Sequence, residues 1–249
     1  MIRVGVITDI HGNDSALKAV LHELDKLQDI EHIYCLGDMI GIGPNTNAVL
    51  EILFSRHDIS MITGNHDEAI LAILKGDEHP LSHSHAKEHH QWIAHHMNKN
   101  FIPKLERLPR AIKKTMNGHA VLFTHYHMEK NKLNKPISQD PFSKIVKPSL
   151  ENVTKLFKGY EESLICFGHH HPIHLFKSEK TIYLNPGSLG CNTRAVAPYS
   201  IVNIEQDKIE VRLEEVAYDN VNFLASYERL QVPDRDFILK VFHGNQSYL

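Results

Sequence analysis

The residues best suited to chemistry fall in five short clusters, each just after an apolar run: Asp9-Ile10-His11, Gly37-Asp38, Gly64-Asn65-His66-Asp67, Thr124-His125 and Gly168-His169-His170-His171. Asp, Asn and His supply oxygen and nitrogen donors, and seven such donors with one shared carboxylate suit two divalent cations. Gly37, Gly64 and Gly168 immediately precede donors, where a chain leaving a strand needs an unusual backbone angle or a close approach. Residues two apart in an extended chain face one way, so Asp9 with His11, and His169 with His171, are expected to point together.

Such donors converge only if the preceding runs are neighbouring strands that end at one edge, which is where open α/β sheets assemble their sites. Ile2 to Ile7, His32 to Leu36 and Ile59 to Thr63 read as strands. A helix with Leu17, Val20, Leu21, Leu24 and Leu27 on one face follows the first strand; helices from about Thr46 to Phe54 and Glu68 to Lys75 follow the others. These β-loop-α units imply a largely parallel sheet with right-handed crossovers. Later runs at 120–124, 163–167, 180–184, 199–204 and 208–216 have shorter connections and are expected to be more antiparallel. The polar stretch 77–109 carries Ala86, His90, Ile93 and Met97 at helical spacing and is expected to form a helical cap within a single domain spanning 1–249. The segment Lys130 to Pro148 holds five lysines against one carboxylate; near a metal site they would favour long anionic substrates over small monoesters. A helix capped by Ser149 and two short helices after Asn220, the second ending at Gly244, complete the chain.

Composition sets outer bounds. Lys plus Arg is 27 and Asp plus Glu is 30, a net charge of −3 over 249 residues, which gives no global footprint for duplex nucleic acid. No stretch is apolar enough to span a membrane and the N-terminus lacks the features of a secretory leader, so a cytoplasmic protein is expected. Cys35, Cys166 and Cys191 lack metal-binding spacing, and two of them sit in apolar runs as buried thiols would. Oligomerisation is left open.

The ordered series D-x-H, G-D, G-N-H-D, H and G-H-x-H resembles the calcineurin-like metallophosphoesterase superfamily. G-D-M-I-G-I-G-P from Gly37 and N-P-G-S at 185–188 resemble its bacterial and archaeal phosphodiesterase branch. The resemblance implies a four-layer α/β/β/α sandwich of two mixed sheets. It implies Asp9, His11, Asp38 and His171 around one divalent metal ion, and Asp38, Asn65, His125 and His169 around the other, with Asp38 as bridge. All-N/O donors admit Mn, Fe, Zn or Ni, with Mn or Fe favoured. Two cations roughly 3.5 to 4 Å apart would activate hydroxide and clamp both oxygens of an in-line displacement on a phosphate ester or nucleotide. His66 would protonate the leaving oxygen or stabilise its charge. The implied enzyme is a phosphodiesterase or dinucleoside polyphosphate hydrolase; the alternative is a non-catalytic metal-binding scaffold of the same fold, which would be expected to lack His66 beside a complete donor set.

Several residues carry two readings. The superfamily usually has His-Gly where this chain has His125-Tyr126, and His127 competes with His125 as the donor. Asp67 either orients His66 or caps the helix that follows, with capping the better fit. Asn13 divides between helix cap and substrate contact, and Arg194 between phosphate contact and solvated surface. His85-Ala86-Lys87-Glu88-His89 matches H-x-x-E-H of inverted zinc proteases. With His79, His83, His85, His89, His90, His95 and His96 in one segment the match is cheap; a solvent-facing helix that scavenges metal is a better reading, and a lid residue reaching substrate better still.

Overall fold

Side-chain alternation sorts the core into layers. The computed structural model describes residues 1–246. In β1 (Ile2–Ile7), Val4 and Val6 face one side and Ile7 the other. α1 (Asp14–Lys26), β2 (His32–Cys35), α2 (Thr46–Ser55), β3 (Ile59–Met61) and α3 (Asn65–Lys75) follow. The segment expected to form a cap contains a 3₁₀ turn Leu81–Ala86, α4 (Lys87–His96) and the short α5 (Ile102–Leu105). Next come β4 (Ala111–Met116), β5 (His119–Thr124), α6 (Leu150–Leu156), β6 (Leu164–Cys166), β7 (His174–Lys177) and β8 (Ile182–Asn185). β9 (Val196–Ile204), β10 (Ile209–Ala217), α7 (Val221–Arg229) and α8 (Arg235–His243) close the described chain.

One sheet has the order β10-β9-β1-β2-β3 and the other β4-β5-β6-β8-β7. β1, β2 and β3 run parallel, as the β-loop-α spacing predicts. Of the later runs, β9 and β10 pair antiparallel as expected, whereas in the second sheet β5, β6 and β8 are parallel at the centre and antiparallel pairing is confined to the β4 and β7 edges. α6 supplies the crossover between β5 and β6 that parallel pairing requires.

Val4, Val6, Tyr34 and Leu36 from the first sheet meet Val121, Phe123, Leu164, Cys166 and Leu184 from the second in a buried inter-sheet core. Tyr34 stacks on Phe123 there with ring centroids 3.7 Å apart. The alternate residues Ile7, Ile33 and Cys35 face α1 and α2, while Leu122, Ile165 and Tyr183 face Val153 and Phe157 at α6. Helix, sheet, sheet, helix is thus the layer order, the α/β/β/α sandwich expected. α4 packs on α3, with Ile93, Ala94 and Met97 joining the main core, so the cap is anchored directly beside the donors. Among the described residues no helix is long and apolar enough to cross a membrane.

Candidate metal centre

The loops leaving β1, β2, β5 and β6 and the first turn of α3 bring all seven predicted donors to one edge. They do so by tight turns rather than extended alternation: Asp9, His11, Asp38 and His169 all have positive φ, at 53°, 49°, 48° and 68°. Left-handed backbone at non-glycine residues is costly and persists where surroundings dictate it, often at functional sites. Close approach explains two glycines. A Cβ on Gly64 would lie 2.2 Å from Asp38 Oδ1, and one on Gly168 2.0 Å from Thr8 Oγ1 and 2.6 Å from Asp9 Oδ2.

Two groups result. Potential ligand atoms of Asp9, His11 and His171 all lie within 4.8 Å of one another, as do those of Asp38, His125 and His169. Asp38 stands between the groups, its Oδ2 3.3 Å from His125 Nε2 and 3.9 Å from His11 Nε2. Its Oδ1 accepts the His66 backbone N–H at 2.8 Å. Asn65 belongs to the second group through Oδ1, which lies 2.8 Å from His125 Nε2 and 2.6 Å from His169 Nδ1.

The donor set fits cations on its own chemistry. Asp9 is fully buried; its Oδ2 accepts from Thr8 Oγ1 and the His169 N–H, but Oδ1 has no hydrogen-bond partner among the described residues. A buried carboxylate oxygen without a donor is expensive. His125 Nδ1 donates to the Leu36 carbonyl at 2.7 Å, so a neutral ring turns a lone pair at Nε2 toward Asn65 Oδ1 and Asp38 Oδ2, where three acceptors converge. Burial disfavours charge on His125, but the Asp38 carboxylate outweighs it and pushes the pKa up to about 9. That demand for positive charge is one a metal ion meets. Burial instead drives His169 down to about 3, with His125 adding to the effect, and His171 down to about 4, with His11 adding. Both are therefore neutral, as ligands must be.

The His66 ring lies edge-on to His11, with centroids 5.2 Å apart; its Nδ1 is 2.8 Å from His90 Nε2, and His90 Nδ1 is 2.9 Å from His79 Nε2. The fully buried His90 thus joins the site to the cap, leaving His66 Nε2 as the ring nitrogen outside this chain. Burial, then His90 and His11, hold the His66 pKa well below its ordinary value. His83 is a second support. Its Nε2 accepts from Asn65 Nδ2 at 2.9 Å, which turns Oδ1 toward the histidines, and its Nδ1 contacts Ser82, which donates to Asp140. The sequence places His90 on the apolar face of the expected cap helix and His83 in its His-rich approach, but gives neither of them a role at the donors.

The remaining candidates divide cleanly. His127 is turned away, its Nδ1 on Ser143 and its ring against Phe157 and Tyr160. Asp67 does not orient His66 but caps α3 as expected, from inside the helix rather than from the N-cap position itself. α3 begins at Asn65, three residues before the expected start, and Asp67 accepts from the Gly64 and Ile40 N–H groups as the third helical residue. Asn13 caps α1 by accepting from Ala16 N, and its amide donates to the Gly190 carbonyl and Tyr218 OH. Arg194 pairs with Glu215 on the surface. Of the lysine-rich segment, Ile145 lines the cleft, whereas Lys130, Lys135, Lys144 and Lys147 are exposed.

A four-layer α/β sandwich with two groups of metal-ligand residues at one edge is the frame of a metal-dependent phosphoester hydrolase. Residues 2–207 match the calcineurin-like phosphoesterase superfamily domain, and the chain belongs to that superfamily. An uncharacterized protein of Methanocaldococcus jannaschii is 28% identical over 224 residues, covering 87% of this chain and 88% of that protein. The metallophosphoesterase of Sphaerobacter thermophilus shares the fold, with a TM-score of 0.67 at 21% identity over 95% of this chain and 97% of that one. A symmetrical bis(5'-nucleosyl)-tetraphosphatase of Citrobacter koseri is 32% identical over 72 residues, which cover 28% of this chain and 26% of that enzyme.

Proposed function

We propose that the protein is a binuclear phosphoesterase acting on nucleotide substrates, either phosphodiesters or dinucleoside polyphosphates. Asp9, His11, Asp38 and His171 would hold one divalent ion and Asp38, Asn65, His125 and His169 the other, with Mn or Fe favoured for this all-N/O set. The observation that carries the reading is the pair of donor groups with the Asp38 carboxylate between them, one of them containing a buried carboxylate oxygen with no hydrogen-bond partner among the described residues. When bound, the ions supply Lewis-acid activation of water and neutralise charge on the phosphoryl oxygens.

The chain's own groups do the rest. Asp38 fixes the spacing of the two groups and steadies the first turn of α3 through the His66 N–H. His66, held at Nδ1 by His90, presents Nε2 to the leaving oxygen, where it donates a proton or stabilises developing charge; an anionic substrate nearby raises its proton affinity. His83 keeps the Asn65 carbonyl oxygen aimed at its group. His66 beside a complete donor set favours catalysis over a scaffold role. The local similarity to a bis(5'-nucleosyl)-tetraphosphatase supports a nucleotide substrate, and three buried free cysteines suit the reducing cytoplasm.

Hydrolysis of phosphomonoesters, phosphodiesters, cyclic nucleotides and dinucleoside polyphosphates with added Mn²⁺ tests the reading. Chelation should abolish activity, Mn²⁺ restore it, and Asp38→Asn lower it more than any change confined to one group. Activity indifferent to chelation sinks the proposal.

A further inference from the structure

The cleft that holds the donors does not end at them. Past His66 and His83 lies a cavity of about 190 Å³, walled by Ile42, Ala86, Phe237, Ile238 and Phe242. Ile42, His66, His83 and Phe242 line both spaces, so the two adjoin across these side chains, and none of the seven donors lines the inner cavity. It therefore opens on the side of the centre where His66 stands, which is the side of the departing oxygen.

Its chemistry is specific. The walls are mainly apolar, and α8 contributes two aromatic rings, of which Phe237 is 56% exposed. The volume is below the roughly 300 to 1,000 Å³ of sites for drug-sized ligands, so it suits a single ring system. One buried polar side chain lines it. His89 is 4% exposed, and neither ring nitrogen makes a well-formed hydrogen bond among the described residues, although the Pro233 carbonyl lies near. Burial lowers its pKa to about 4, so at neutral pH the ring offers one donor and one acceptor. A flat heteroaromatic ring with polar edges meets both demands; an aliphatic chain would leave His89 unmatched.

We propose that this cavity is a nucleobase subsite for the departing half of the substrate, with the ring against Phe237 and Phe242 and its edge read by His89. The inference deepens the phosphoesterase reading and rests on it for the leaving-group side. It also accounts for His85-x-x-Glu88-His89 without a protease: His85 and His89 both line the cavity, and Glu88 faces solvent.

The test uses the full chain with Mn²⁺ and two readouts. Adenosine binding is followed by saturation-transfer NMR in wild type, in Ala86→Trp, which fills the cavity, and in Phe237→Ala, a change at an exposed position. Alongside, kcat/KM is compared for a phosphodiester whose leaving group is a 5'-nucleoside and for its abasic counterpart. Wild type should bind adenosine and prefer the base-bearing diester by about tenfold or more. Both variants should weaken adenosine binding, and the preference should fall toward one. Adenosine binding that is absent, or equal in all three proteins, overturns the subsite, as does equal kcat/KM on the two diesters. If sedimentation instead shows a dimer that Phe237→Ala dissociates, with no adenosine bound, this face covers a second copy and the proposal fails. If adenosine binding follows the cavity while no phosphoester is hydrolysed, the subsite stands and the phosphoesterase reading is what fails.

Discussion

On the proposed ligand set His66 is separable from the metal ligands because Asn65, its neighbour, is the residue that faces His125 and His169. His66→Ala should leave metal content near wild type. Without a proton donor a ribose alkoxide departs with its charge uncompensated, whereas p-nitrophenolate, a weak base, needs little help; general acid assistance is worth roughly 10² to 10⁴ in rate. The variant should lose far more activity on nucleotide esters than on p-nitrophenyl esters; parallel losses would assign His66 to general charge stabilisation. On the proposed mechanism His90 acts through His66, as a positioning residue. His90→Phe should reproduce the same leaving-group bias in milder form, mainly in kcat, and His90→Gln, which keeps a hydrogen-bonding group, should recover part of it. Unbiased loss in His90→Phe would mark a merely structural role. The donors were legible in the sequence because their types and their place after apolar runs are local properties. The left-handed turns that aim Asp9, His11, Asp38 and His169, and the reach of His83 and His90 from the cap, depend on contacts far apart in the chain and leave no periodic trace.

At the level of elements, the strand ends are held together by close backbone approach. A methyl group on Gly168 would collide with both Thr8 Oγ1 and Asp9 Oδ2, neither of which can yield without disturbing the Asp9 carboxylate. Gly168→Ala should cost about 1 to 3 kcal/mol in urea unfolding, the scale of forced overpacking, and should reduce metal content as well. Unchanged stability and metal content would show that this junction tolerates more than its geometry allows. The central strands were readable because both faces are buried and their apolar runs are continuous. β4 and β7 were not: both are edge strands, β4 with mostly exposed residues and β7 only four residues long with two of them exposed. The early start of α3 also escaped, because Asn65 and His66 form no part of its apolar stripe.

Across the whole molecule, buried neutral histidines make stability depend on acid. His243 is 2% exposed, its Nε2 is 3.0 Å from Tyr227 OH, and burial, then His11 and His171, lower its pKa to about 4. Between that value and the unfolded value of about 6.5 the unfolded chain binds a proton that the folded chain refuses, so stability is full above pH 6.5 and falls as pH drops toward 4. The loss amounts to about 3 kcal/mol at most, and His243→Phe should flatten the difference between urea unfolding at pH 7 and pH 4.5 by a measurable part of it. An identical pH slope in the variant would show that His243 is not a source of the acid sensitivity.

The sandwich and the strand-end turns place two donor groups on either side of the Asp38 carboxylate, and the proposal that they share it is the centre of the account. Its most direct test is the number of Mn²⁺ ions bound per chain when metal-stripped protein is titrated, measured by elemental analysis after removal of free metal. Two ions per chain are expected in the wild type, with a clear loss in Asp38→Asn. A single ion, or a count unaffected by Asp38→Asn, would contradict a shared binuclear centre.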